Sequence, residues 1–174
     1  MRNKPSYEGR SAAERAFLDY AGRYESDDGR VALKILHTLK VADVMQYLTT
    51  ALALPQRVAY LAHLCAVFHD IGRFEQLKRY DTFLDFKSVD HAALSCRILK
   101  EENLLADLSR EERRMVFTAI DNHNRLEIEA GLDDDTLLLC RLLRDADKCD
   151  IFRVFACEDM KDTMGETVEQ VAGE

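Results

Sequence analysis

The sequence has no tryptophan, and only two prolines and seven glycines in 174 residues. So few turn formers disfavour a turn-rich sheet and favour long helices. Its five cysteines, Cys65, Cys96, Cys140, Cys149 and Cys157, include no Cys-x-x-Cys pair. An odd count without metal-ligand spacing reads as free thiols in a reducing cytoplasm, not as a disulfide framework or a structural zinc site. No apolar run approaches the ~20 residues of a membrane span, and none follows Met1-Arg2-Asn3-Lys4-Pro5, so neither a membrane segment nor a signal peptide is expected. An excess of positive charge is missing too: 24 basic residues face 32 acidic ones, a formal charge of -8. A duplex nucleic-acid binder needs a cationic footprint, so that partner is set aside, as is a membrane surface. A local basic pocket for a small anion is not excluded. There is no Gly-rich phosphate loop and no Walker pattern.

What is present is a helical pattern. Hydrophobic residues make up 47% of the chain, enough for one core at this length. Ser11-Ala12-Ala13-Glu14 reads as a capping box opening a helix that Asp27-Asp28-Gly29 should stop. A second helix is expected from about Val31 to Thr50. A third starts at Pro55 and carries Val58, Leu61, Ala62, Cys65 and Phe68, with Gly72 placed to end it. From Arg73 to Lys87 the periodicity weakens into alternating aromatics and charges, which predicts a long loop with at most one helical turn. Ser88 should cap a fourth helix carrying His91, Leu94, Ile98 and Leu99. Ser109-Arg110-Glu111-Glu112 is a second capping box. Asp133-Asp134-Asp135 marks a further N-terminus, where acidic residues suit the helix dipole. From there a helix apolar nearly all round runs through Leu143 towards Phe155. Residues 158–174 hold six acidic residues and one lysine, and read as an acidic tail or partial helix. The abrupt end at Gly173-Glu174 leaves open whether the chain is truncated. The expectation is a single all-α domain over residues 1–174, with six or seven helices.

The five histidines carry the chemical signal. His37, His69, His91 and His123 each have a polar neighbour and fall in different helical segments. His63 has no such context and reads as structural. Asp145 and Asp147 lie in the most apolar helix, where a carboxylate is costly unless paired or bound to a metal. Imidazoles and carboxylates from separate rigid elements suit Mn, Fe, Co, Ni or Zn, and Mg less well. They could supply one such ion or two adjacent ones.

His37, then His69-Asp70 followed by Ile71-Gly72-Arg73, then Asp145 within Arg144-Asp145-Ala146-Asp147-Lys148, resembles the HD-domain superfamily of metal-dependent phosphohydrolases. The resemblance covers about residues 31–155. It implies that His37, His69, Asp70 and Asp145 coordinate one divalent metal ion. His91 and His123 match the extra histidines of the branch with two ions, in which Asp70 bridges. The implied reaction is attack on phosphorus by a water that the metal has deprotonated. Arg73 and Lys148 are the candidate phosphate contacts, with Lys40 weaker, while Asp147 reads either as a base or as a partner of Lys148. The substrate implied is a small phosphate ester or anhydride, foremost a nucleotide. The absence of a Gly-Tyr-Pro tripeptide argues against the cyclic-diguanylate branch. Phe74, Tyr80, Phe83 and Phe86 could stack on a base. Two competing readings are a di-iron oxygenase of the same superfamily and a non-catalytic nucleotide- or metal-binding signalling domain. Homo-oligomerisation stays open.

Overall fold

The structure is a computed structural model that describes residues 9–24 and 27–157. Among the described residues there are seven α-helices, one 3-10 turn and no strand. The helices are α1 (Ala12–Ala21), α2 (Gly29–Ala51), α3 (Gln56–Phe68), α4 (Gly72–Tyr80), α5 (His91–Glu101), α6 (Arg110–Asp121) and α7 (Asp134–Cys157). Both capping boxes form. The Ser11 and Ser109 hydroxyls accept from the amides of Glu14 and Glu112, whose carboxylates accept from the serine amides in return.

One continuous core joins the helices. α3 lies at its centre, with Leu61, Ala62 and every residue from Leu64 to Phe68 buried. α2 and α7 pack on it and on each other; α4 packs on α5, and α5 on α6. On α7, Leu139, Leu143, Ala146 and Asp150 are buried, which is the spacing of one helical face. No described helix is long and apolar enough to cross a membrane. Cys65, Cys96 and Cys140 are buried free thiols and Cys149 is exposed.

Four local expectations need correction. The stretch after Arg73 is half helix, because Phe74 and Leu77 supply an apolar side one turn apart and Gln76 is buried beside them. That helix stops at Asp81, in the left-handed region at φ 55°. The aspartate that caps α5 is Asp90, which accepts from the amides of Ala92 and Ala93; Ser88 does not cap it. α1 ends at Ala21, and Asp28 caps α2 through the Arg30 amide. The proposed acidic tail lies outside the described residues.

Gly72 starts α4 where it was expected to end α3. A Cβ there would lie 2.7 Å from the His91 carbonyl oxygen and 2.7 Å from the Ser95 amide nitrogen. Only glycine permits that approach of α4 to α5. The Gly72 amide seals the contact by donating to Ser95 Oγ at 2.9 Å.

Candidate metal centre

Four imidazoles converge on Asp70 from four elements. His37 comes from the middle of α2, His69 caps the C-terminus of α3, His91 opens α5, and His123 follows the C-cap of α6. Asp70 sits in the turn between α3 and α4. All five side chains are buried. Asp70 Oδ2 lies 3.7 Å from the Nε2 of both His37 and His69. Asp70 Oδ1 lies 3.5 Å from His91 Nε2 and 3.7 Å from His123 Nε2. One carboxylate thus divides the histidines into two pairs, and each pair with Asp70 forms a compact group of candidate ligands.

The outer ring nitrogens fix the tautomers. His69 Nδ1 donates to the Ala66 carbonyl at 2.8 Å, and His123 Nδ1 donates to the Ile120 carbonyl at 2.6 Å. A carbonyl can only accept, so these two Nδ1 atoms carry protons and Nε2 is the atom that each ring leaves facing inward to take a cation. His37 Nδ1 meets Asp150 Oδ2 at 2.7 Å, and His91 Nδ1 meets Asp85 Oδ2 at 2.6 Å. Carboxylates behind imidazoles orient them and raise their basicity as ligands.

The inward nitrogens face one another and the carboxylates of Asp70 and Asp147. His37 and His69 bring their Nε2 atoms to 3.3 Å, and His91 and His123 to 3.1 Å. Two lone pairs facing at that distance repel unless a proton or a cation lies between them. Neighbouring ligands about 2.1 Å from a shared ion stand roughly 3–3.4 Å apart. Asp70 Oδ1 is buried and accepts no hydrogen bond. A buried carboxylate oxygen without a donor is costly, and a divalent cation satisfies it. The donor set therefore fits metal ions.

Of the two α7 aspartates, Asp147 and not the expected Asp145 is the one that the fold brings to the histidines. Asp145 is exposed, whereas Asp147 is buried with Oδ1 3.1 Å from His37 Nε2 and 3.5 Å from His69 Nε2. The reason is helical phase: Asp147 follows buried Leu143 by four residues, and Asp145 by two. Lys148 is exposed and lines no part of the hollow beside His37. Lys40 pairs with Asp43 on the surface.

The cation that does reach the centre is Lys34, whose Nζ donates to Asp70 Oδ2 at 2.8 Å. It lies three residues before His37, on the same helical face, a spacing that could have revealed it. Arg73 is also at the centre, with Nε 3.5 Å from Asp70 Oδ1. Its Nη1 is held by Gln76 Oε1, the Phe83 carbonyl and Asp85 Oδ1. Gln76 in turn donates to Asp85, Ser88 Oγ and the Val89 carbonyl, so one buried amide organises the loop behind His91. Asp85 and Asp90 group with His91, but Asp85 is engaged by that ring and Asp90 by the α5 amides.

Burial alone would push the Asp70 carboxyl up; Lys34, His69 and Arg73 hold it well below the usual carboxylate range. Burial raises and the two histidines lower Asp147, with the same downward result. His37 is raised, because Asp147, Asp150 and Asp70 outweigh burial and Lys34. His91 falls to about 4, through burial and then Arg73, against Asp85. His63 lies elsewhere, its Nε2 3.0 Å from Ser11 Oγ, where it ties α3 to the cap of α1. Of the four aromatics that the sequence offers for stacking, Phe74 is buried among Phe17 and Tyr24, and only Phe83 borders the hollow beside His37.

A helical domain whose core directs four imidazoles and two carboxylates at one another is of the class built to carry metal ions. The chain belongs to the HD-domain family: the family model matches residues 35–151, more than half of its length. That superfamily consists mostly of metal-dependent hydrolases of the phosphohydrolase type. No curated protein and no solved structure was found to match the chain.

Proposed function

We propose that this protein is a metal-dependent phosphohydrolase that cleaves a small phosphate ester or anhydride with water. The observation that carries the reading is the buried, unsatisfied Asp70 Oδ1 at the meeting point of two histidine pairs. His37, His69, Asp70 and Asp147 would hold one divalent ion, and Asp70, His91 and His123 a second. Bound there, such ions supply Lewis acidity towards a phosphoryl group and a water that ionises near neutral pH.

The chain's own groups do the rest. Asp150 and Asp85 hold the His37 and His91 rings in register. Lys34, beside Asp70, puts an ammonium at the edge of the hollow, where phosphoryl oxygens would gather. Arg73 borders the same hollow from the Asp70 Oδ1 side, its guanidinium fixed by three acceptors so that little reorganises when charge develops. Asp147 faces both His37 and His69 and is held ionised, which suits it to bind a cation.

The test is elemental mass spectrometry on untagged protein purified without metal resin, followed by a screen of phosphate esters. One or two transition ions per chain with turnover of any ester is the expected result. Two irons without hydrolysis would move the reading to the oxygenase. No metal, and none taken up from Mn or Ni, would overturn it in favour of a binding domain.

A further inference from the structure

Beside the first histidine pair is a hollow of about 270 Å³. Its wall includes Lys34, His37 and Arg73, the three of its residues that lie next to Asp70. The rest of its wall is Leu33, Phe83, Leu84, Ile151, Val154 and Phe155, from α2, the loop before α5, and α7. Among the described residues that line it, the polar side chains are thus those next to Asp70, and the other six are hydrocarbon.

Among the described residues, those six wall side chains carry no donor or acceptor for a nucleoside. The face of Phe83 is already engaged: Lys34 Nζ lies 5.4 Å and Arg73 Cζ 5.7 Å from its centroid. The Phe83 carbonyl accepts from Arg73, and the Leu84 amide donates to Thr82 Oγ1. The Leu84 carbonyl accepts from Lys87 and Ser88. Each sugar hydroxyl or base nitrogen buried there without a partner would lose about tenfold in binding. The volume also falls below the ~300–1,000 Å³ of pockets for drug-sized ligands. A larger hollow of about 600 Å³ borders His63, but it shares no residue with the centre.

We propose that this hollow takes the leaving group, and that the substrate is a phosphate ester of a small apolar alcohol or phenol, of one ring or a short branched chain, in place of a nucleotide. The inference rests on the phosphohydrolase reading. Water forms the new P–O bond, the ester P–O bond breaks, the leaving oxygen takes a proton, and phosphate departs.

The experiment uses the full chain, loaded with Mn, on matched substrates. These are phenyl phosphate against adenosine 5′-monophosphate, methyl phenyl phosphate against 3′,5′-cyclic AMP, and glycerol phosphate for reference. The expected result is a kcat/KM at least about tenfold higher for the phenyl ester in the pair that is cleaved. Phe155→Ser, at an exposed position, should lower the preference for phenyl over glycerol phosphate about three- to tenfold. Val154→Asp should lower it further, with metal content as the check on folding. Equal or better turnover of the nucleotide, or a preference untouched by both substitutions, would overturn the apolar leaving-group assignment and leave the hydrolase standing. Cleavage of no ester by metal-loaded protein would overturn the hydrolase itself.

Discussion

The two halves of the centre use the same imidazole chemistry and differ in what stands behind it. His37 and His69 are faced by Asp147, and His37 is backed by Asp150, both carboxylates on the long helix α7, with the Asp150 side chain 2% exposed. His91 and His123 have no second carboxylate in front of them, and the one behind, Asp85, is 32% exposed on a loop. Asp70 serves both. Three carboxylates therefore converge on the first half and two on the second, while Lys34 leans on Asp70 from the first side and Arg73 from the second. The first half should bind its ion more tightly and lose it last, because it has more negative charge, deeper burial and helical support.

The strongest test is to remove what the halves share. Asp70→Ala should leave neither ion bound and activity at background; retention of either ion by elemental mass spectrometry would show that Asp70 is not common to both. Splitting the halves comes next. His91→Ala should reduce the metal count by one ion and keep the other, and an unchanged count would show that His91 is not a ligand. Gly72→Ala forces α4 off α5 at the point where Asp70 meets His91. It should cost about 1–3 kcal/mol of stability by denaturant midpoint and weaken the second ion more than the first. Replacing the backing carboxylates is subtler. Asp150→Asn and Asp85→Asn should each weaken one ion by roughly 10–100-fold, with the larger loss at buried Asp150. Equal losses would mean that burial does not set the difference.

The smallest effect belongs to the histidine outside both halves. His63→Gln should leave metal content unchanged. Burial, only partly opposed by Glu14, holds the folded pKa of His63 below its ordinary value of about 6.5. The stability it contributes as a neutral ring is therefore present above about pH 6.5 and is lost as pH falls through the lower folded value. Urea midpoints measured between pH 7 and 5 should decline less steeply in the variant than in the parent chain.

Much of this centre was legible in the sequence because helix-borne histidines announce themselves by their neighbours. The pattern of the chain singles out His37, His69, Asp70, His91 and His123, and the fold brings these five together. The motif alone does not choose between Asp145 and Asp147. The phase of Leu139, Leu143 and Ala146 does, and it points to Asp150 as well. Lys34 is one turn from His37, whereas the closeness of Lys148 to Asp145 in sequence is undone by the helix. α4 hides from periodicity because its nine residues include five that are charged or amide-bearing. Its apolar side is only Phe74 and Leu77, too short a stripe to register. Asp85 could not have been paired with His91, because that contact depends on how Gln76 and Arg73 fold the intervening loop.

The bond between His37 and Asp150 joins residues 113 apart in the chain, whereas the two histidine pairs each span 32. Closing the longer loop costs about 1 kcal/mol more in chain entropy. During synthesis all four histidines and Asp70 emerge before α7 exists. The first half of the centre is therefore finished by the last described helix to arrive, and an ion held there would count the whole domain as folded.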